Sequence, residues 1–221
     1  MREIHHFIGG KSVTGSTGRW GDIYNPNTGE VQARVQFADK GEVGQAVAKA
    51  VEAQREWAAM NPQRRARVLF KFKELVEADM DSLAELLSSE HGKVIADSKG
   101  DVIRGLEVIE FACGVPHLMK GEYTESAGTG IDVYSMRQPL GVVAGISPFN
   151  FPAMIPMWFM GMSIATGNAL VLKPSEKDPS VPVRLAELWA EAGLPDGVMQ
   201  VVHGDKEAVD ALLHHDDIKA V

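Results

Sequence analysis

Three short apolar runs, Val142 to Ile146, Ala169 to Lys173 and Val198 to His203, are separated by helical stretches at 153 to 166 and 179 to 192. Strands that are apolar throughout, rather than at alternate positions, need cover on both faces, so the pattern reads as βαβαβ on a parallel sheet. The expected fold class is α/β with a doubly wound parallel sheet. A further helix, Lys206 to His214, precedes Ile218-Lys219-Ala220-Val221, which reads as the opening of another buried strand. Because a natural domain rarely stops inside a strand, the chain is expected to be the truncated first part of a longer protein.

The chain before Pro139 is patterned differently. Residues 1–38 alternate apolar and polar positions around turn clusters such as Asn25-Pro26-Asn27-Thr28-Gly29, which predicts short strands joined by tight turns. Asp39 can cap a helix with the apolar stripe Val43, Val47, Ala50 and Trp57, and Asn61-Pro62 has the cap-then-proline order of a second start. That second helix carries Val68, Leu69, Phe72, Leu75, Val76, Leu83, Leu86 and Leu87 at helical spacing up to Gly92, its expected stop. Its basic start, Arg64, Arg65 and Arg67, reads as a solvated face. A third helix is expected over Val94 to Cys113, broken by Gly114 and Pro116. From Gly121 to Gln138, glycines and β-formers predict a two-stranded hairpin of the kind that serves an interface. The expected division is 1–120 for N-terminal strands and helices, 121–138 for the hairpin, and 139–221 for the βαβαβ part.

Composition narrows the function. A net charge of -8 without a basic stripe argues against nucleic acid as a partner. The one cysteine, Cys113, excludes an internal disulfide and a cysteine-based zinc site; it reads as a small buried thiol, and a reducing, cytoplasmic setting is the default. Residues Met1 to Lys11 lack the apolar core of a signal peptide. The longest apolar stretch, Phe151 to Ile164, is shorter than the about 20 residues a membrane span needs, and Pro152 and Pro156 interrupt it. It reads as a buried segment. The pairs His5-His6 and His214-His215 have no defined third ligand, so no metal is expected and exposed histidines are.

Ligands of open parallel sheets bind beyond the carboxyl ends of the strands. Here those positions hold Ser147-Pro148-Phe149-Asn150 and Lys173-Pro174-Ser175-Glu176. Glu176 can accept hydrogen bonds from cofactor ribose hydroxyls, and the plainer alternative is a surface Lys173–Glu176 ion pair opening the next helix. The amide of Asn150 could point at a carbonyl oxygen and stabilise an oxyanion; the plainer alternative is a cap or turn residue. No Gly-x-Gly-x-x-Gly fingerprint is present, which gives an ordinary Rossmann dehydrogenase no motif support.

Several ordered motifs resemble the aldehyde dehydrogenase family: Pro139-Leu140-Gly141-Val142-Val143, Ser147-Pro148-Phe149-Asn150-Phe151-Pro152, Gly167-Asn168-Ala169, Leu172-Lys173-Pro174-Ser175-Glu176, Ala192-Gly193-Leu194-Pro195 and Val201-Val202-His203-Gly204. The Pro-Phe-Asn-Phe-Pro form and Glu110-Phe111-Ala112-Cys113-Gly114-Val115-Pro116 are similar to the methylmalonate-semialdehyde dehydrogenase subgroup. The resemblance spans essentially the whole chain. It implies an aldehyde-dehydrogenase-like NAD-binding domain with an oligomerisation hairpin, in which the absence of the glycine fingerprint is normal.

It also implies a chemistry. A thiolate attacks the aldehyde, the adduct passes hydride to NAD, and CoA takes the acyl group, giving propionyl-CoA or acetyl-CoA with loss of CO2. Asn150 then stabilises the oxyanion, Lys173 and Glu176 hold the adenosine ribose, and Ser147, Phe149 and Lys177 line the cofactor groove. Arg104, followed by Gly105, matches the subgroup's substrate arginine, and a guanidinium fork suits a semialdehyde carboxylate. Its plainer alternative is a surface charge paired with Asp101 or Glu107. The family's nucleophilic cysteine, general-base glutamate and glycine-bearing loop fall beyond Val221, so the catalytic domain is absent and the 221 residues alone are expected to be inactive. A homo-oligomer, dimer or tetramer, is expected of the longer form. Two alternatives stay open: a non-catalytic NAD-binding or assembly fragment, and a dehydrogenase for another semialdehyde with water as acyl acceptor.

Overall fold

The computed structural model describes all residues, 1–221. The opening segment forms five short strands: β1 (Arg2–Ile4), β2 (His6–Phe7), β3 (Ser12–Val13), β4 (Trp20–Tyr24) and β5 (Val31–Gln36). Strands β1, β5 and β4 make a small three-stranded sheet with β1 parallel and β4 antiparallel to β5. Its apolar side, Ile4, Ile23, Ala33 and Val35, is a second, minor core.

Helix α1 (Lys40–Ala59) starts where Asp39 accepts the Glu42 N–H at 2.9 Å, and α2 (Pro62–Ala78) starts where Asn61 accepts that of Gln63 at 2.9 Å. Both caps follow the sequence expectation. The long second helix does not: it breaks at Asp79, and α3 (Met80–His91) follows as a separate helix. Asp79 leaves the helical region at φ −94, ψ 8, and its carboxylate accepts from Arg184 Nε at 2.8 Å. A tertiary ion pair therefore holds Asp79 at the break, and neither glycine nor proline marks it. Gly92 ends α3 in the left-handed region at φ +87, as expected of a C-terminal stop; a Cβ there would lie 2.8 Å from Pro26 Cγ.

Helix α4 (Ile95–Cys113) and the short α5 (Val115–Leu118) follow, then the hairpin β6 (Tyr123–Gly128) and β7 (Ile131–Tyr134), in which nearly every side chain is exposed. The remainder is β8 (Val142–Ile146), α6 (Met154–Ala165), β9 (Ala169–Lys173), α7 (Ser180–Glu191), β10 (Met199–Val201), α8 (Lys206–Leu213) and β11 (Ile218–Ala220). These elements build a six-stranded sheet in the order β11-β8-β9-β10-β2-β3. The first four strands are parallel, and β2 and β3 extend the β10 edge antiparallel. All five β9 residues are buried, which requires cover on both faces; α1 and α6 both pack on this strand. The strand order reverses beside β8, whose neighbours β9 and β11 follow it at different points of the chain, so the crevice for a ligand opens at the carboxyl end of β8.

Two residues read as solvated, Arg65 and His6, are not. Arg65 is 2% exposed, and its guanidinium donates to the carbonyls of Ala165 at 3.2 Å and Met60 at 2.6 Å, tying α2 to the end of α6. Arg64 and Arg67 are exposed as expected. His6 and His203 are buried and stacked, 5.7 Å between ring centres, with the His203 N–H donating to His6 Nδ1 at 3.1 Å. Burial pushes His6 down to about 4 and His203 well below its ordinary value, so both are neutral. Cys113 is buried, with its thiol pushed up by burial, as expected of a packed side chain. The segment Phe151 to Ile164 is largely buried, although Phe151 and Trp158 remain more than a third exposed.

Candidate active site

The parallel register pairs Ile146 with Lys173, so the two carboxyl-end segments leave the sheet side by side, and the Ser147 N–H donates to the Lys173 carbonyl at 3.2 Å. On this ledge Lys173 has a buried side chain whose Nζ donates to Glu176 Oε2 at 3.1 Å. Glu176 is half-exposed. Burial works against its charge, yet its own backbone N–H, Lys173 and Lys177 prevail and hold the carboxyl below its ordinary value. The surface bridge given as the plainer alternative is instead a buried ammonium presenting a solvent-facing carboxylate. Lys177 places Nζ 4.6 Å from the centre of the Phe149 ring, and His91 stacks on that ring at 6.4 Å. The buried Ser147 hydroxyl makes no hydrogen bond within the protein. Ser147, Phe149, Lys173, Glu176 and Lys177 thus lie side by side at the carboxyl ends of β8 and β9.

Asn150 lies in the turn between β8 and α6, exposed, and its side-chain amide bonds to no protein group. It does not cap α6. That N-terminus is satisfied from another helix, by Asp101 Oδ1, which accepts the Met154 N–H at 2.7 Å. One turn further along α4, Arg104 is exposed and its guanidinium forms no ion pair with Asp101 or Glu107; Asp101 is committed to Lys93 and Met154. Only the Arg104 carbonyl is engaged, by Trp158 Nε1 at 3.5 Å. Gly105 permits this placement, because a Cβ there would lie 2.2 Å from Met157 Cε in α6.

Residues that periodicity could not point to surround this turn. Lys93 Nζ bonds to Asp101 Oδ2 and to the Asn150 carbonyl, each at 2.7 Å, and sits 4.3 Å from the Phe151 ring centre. Asp178, 1% exposed and without a protein hydrogen bond to its carboxyl, is pushed up to about 8 by burial and by the nearby Glu90 and Asp101 charges. Glu90 is buried with Ser180 Oγ at 2.5 Å and Arg2 as partners, and burial raises it.

A doubly wound sheet with a ledge at its switch point is the open α/β architecture in which ligands sit beyond the strand ends. Residues 13–221 match the aldehyde dehydrogenase family. The chain belongs to that family.

It is 48% identical to the malonate-semialdehyde dehydrogenase of Pseudomonas aeruginosa, over all of this chain and 44% of that protein. Against the acylating, mitochondrial methylmalonate-semialdehyde dehydrogenase of Arabidopsis thaliana it is 47% identical, over 99% of this chain and 36% of that protein. A Sinorhizobium meliloti crystal structure given as a methylmalonate-semialdehyde dehydrogenase complexed with NAD superposes with a TM-score of 0.97 at 61% identity, over 99% of this chain and 44% of that one. The chain spans less than half the length of the relatives it matches.

Proposed function

We propose that these 221 residues are the N-terminal part of an NAD-dependent, CoA-acylating methylmalonate- or malonate-semialdehyde dehydrogenase that yields propionyl-CoA or acetyl-CoA with loss of CO2. The observation that carries the substrate class is Arg104, an exposed guanidinium without an ion pair, one helical turn from Asp101, which anchors the end of the Asn150 turn. A planar fork in that place suits the carboxylate of a semialdehyde.

The ledge fits a dinucleotide on its own chemistry. The buried Lys173 ammonium uses one donor on Glu176 and keeps others for ribose oxygens, while the Glu176 carboxylate accepts ribose hydroxyls and disfavours a 2′-phosphate, which favours NAD over NADP. Bound there, NAD supplies the hydride acceptor. Phe149 gives an apolar wall braced by Lys177 and His91, and Ser147 offers a buried hydroxyl without a partner. Asn150 donates from its amide to the aldehyde oxygen as negative charge develops, an interaction stronger in the transition state than in the ground state. Arg104 anchors the far end of the substrate. CoA as acceptor is supported by the acylating name of the Arabidopsis relative and by motif likeness.

The division into 1–120, 121–138 and 139–221, a homo-oligomer assembled through the exposed hairpin, and a cytoplasmic setting belong to the same proposal. No helix is long and apolar enough to cross a membrane. The test is Arg104→Leu in the full-length protein. Turnover of malonate semialdehyde is expected to fall by about 100-fold or more while that of propanal changes by less than about threefold; equal losses on the two aldehydes would remove the assignment.

A further inference from the structure

The turn that carries Asn150 has little bracing of its own. Between Ser147 and Met154 none of the backbone N–H groups of Phe149, Asn150, Phe151 and Ala153 donates to a protein acceptor. What holds the turn comes from outside it, from Lys93 in the α3–α4 junction and Asp101 within α4. Lys93 Nζ donates to the Asn150 carbonyl at 2.7 Å and lies over the Phe151 ring at 4.3 Å. Asp101 Oδ1 accepts the Met154 N–H at 2.7 Å. The two are joined to each other by Lys93 Nζ–Asp101 Oδ2 at 2.7 Å, with the Asp101 side chain 1% and that of Lys93 15% exposed. One ion pair therefore grips both ends of a five-residue turn.

We propose that the Lys93–Asp101 pair is a positioning clip for the reaction, fixing the peptide of Asn150 so that its amide is already aimed when oxyanion charge develops. The inference rests on the oxyanion role given to Asn150 above. A surface ion pair is worth little, but this one is largely desolvated and each member spends its remaining capacity on the turn. Removing the clip leaves Asn150 present and misplaced, and a misplacement of about 1 Å costs up to about 100-fold in rate. Lys93 and Asp101 touch neither substrate nor cofactor in this scheme, so binding is spared.

The experiment uses the full-length protein with Lys93→Met combined with Asp101→Asn, which removes the pair without stranding a buried charge and leaves an oxygen for the Met154 N–H. The expected result is a fall in kcat of about 10- to 100-fold, with the aldehyde KM and the NAD Kd within about twofold. Hydrogen exchange at Ile155, whose N–H bonds to the Phe151 carbonyl at 3.3 Å, accelerates in the same variant. Lys93→Arg alone, which keeps charge and reach, retains most of kcat. Adding the two clip substitutions to Asn150→Ala brings no further loss beyond that of Asn150→Ala itself, because the clip acts only through Asn150. If Asn150→Ala is inactive while the clip variant keeps its rate, the clip is wrong and the oxyanion reading stands. Full activity of Asn150→Ala overturns that reading itself, and losses that multiply in the combined variant overturn the positioning role.

Discussion

Asp178 offers a quantitative check of the buried acidic layer beneath the candidate site. Its carboxyl is 1% exposed, lacks a protein hydrogen bond, and titrates at about 8 against an ordinary value of 3.8. The raised value means that the unfolded chain releases its proton over a pH range in which the folded chain keeps it. Stability from this group is therefore fully present below about pH 4 and is lost as pH rises toward and through 8. The loss is about 1.5 kcal/mol at pH 5 and about 5 kcal/mol at pH 8. Asp178→Asn is neutral in both states and escapes it. In urea denaturation the variant is expected to exceed the parent chain by a margin that widens by about 3.5 kcal/mol between pH 5 and pH 8. A margin that is constant across this range, or a variant less stable at pH 8, would refute the reasoning, because it would mean that the folded carboxyl ionises as easily as the unfolded one.

The stacked pair His6 and His203 works in the opposite sense: with His6 lowered to about 4, the unfolded state binds more protons between pH 6.5 and 4, and stability is lost as pH falls through that window. His6→Asn, which can still accept the His203 N–H, should remove about 2 kcal/mol of the loss measured at pH 5 relative to pH 7. At the ledge, Glu176→Ala should weaken NAD binding by about tenfold in calorimetric titration, the value of one or two lost hydrogen bonds to a charged group, and should leave thermal stability little changed because the side chain is half-exposed.

Periodicity and punctuation carried the architecture. The apolar runs at 142–146 and 169–173 are β8 and β9 as read, and Asp39, Asn61 and Gly92 act where local chemistry put them, because caps and left-handed stops depend only on neighbours in sequence. The break at Asp79 was not legible, since its cause is Arg184, 105 residues away. The same holds for Arg65 and His6: a charged or polar residue reads as solvated until the carbonyls or the partner ring that satisfy it are known. Of the site, Ser147, Phe149, Asn150, Lys173, Glu176 and Lys177 were accessible because strand ends are visible in sequence and the motifs are specific. Lys93, Asp101 and Asp178 were not, as their significance lies in contacts that cross 50 residues or more.

The most direct test of the central claim is NAD reduction by the full-length protein with malonate semialdehyde, measured with and without CoA and compared with propanal. The account predicts rapid NADH formation that requires CoA for sustained turnover and strongly favours the carboxylated aldehyde. NADH formation indifferent to both CoA and the carboxylate would contradict it.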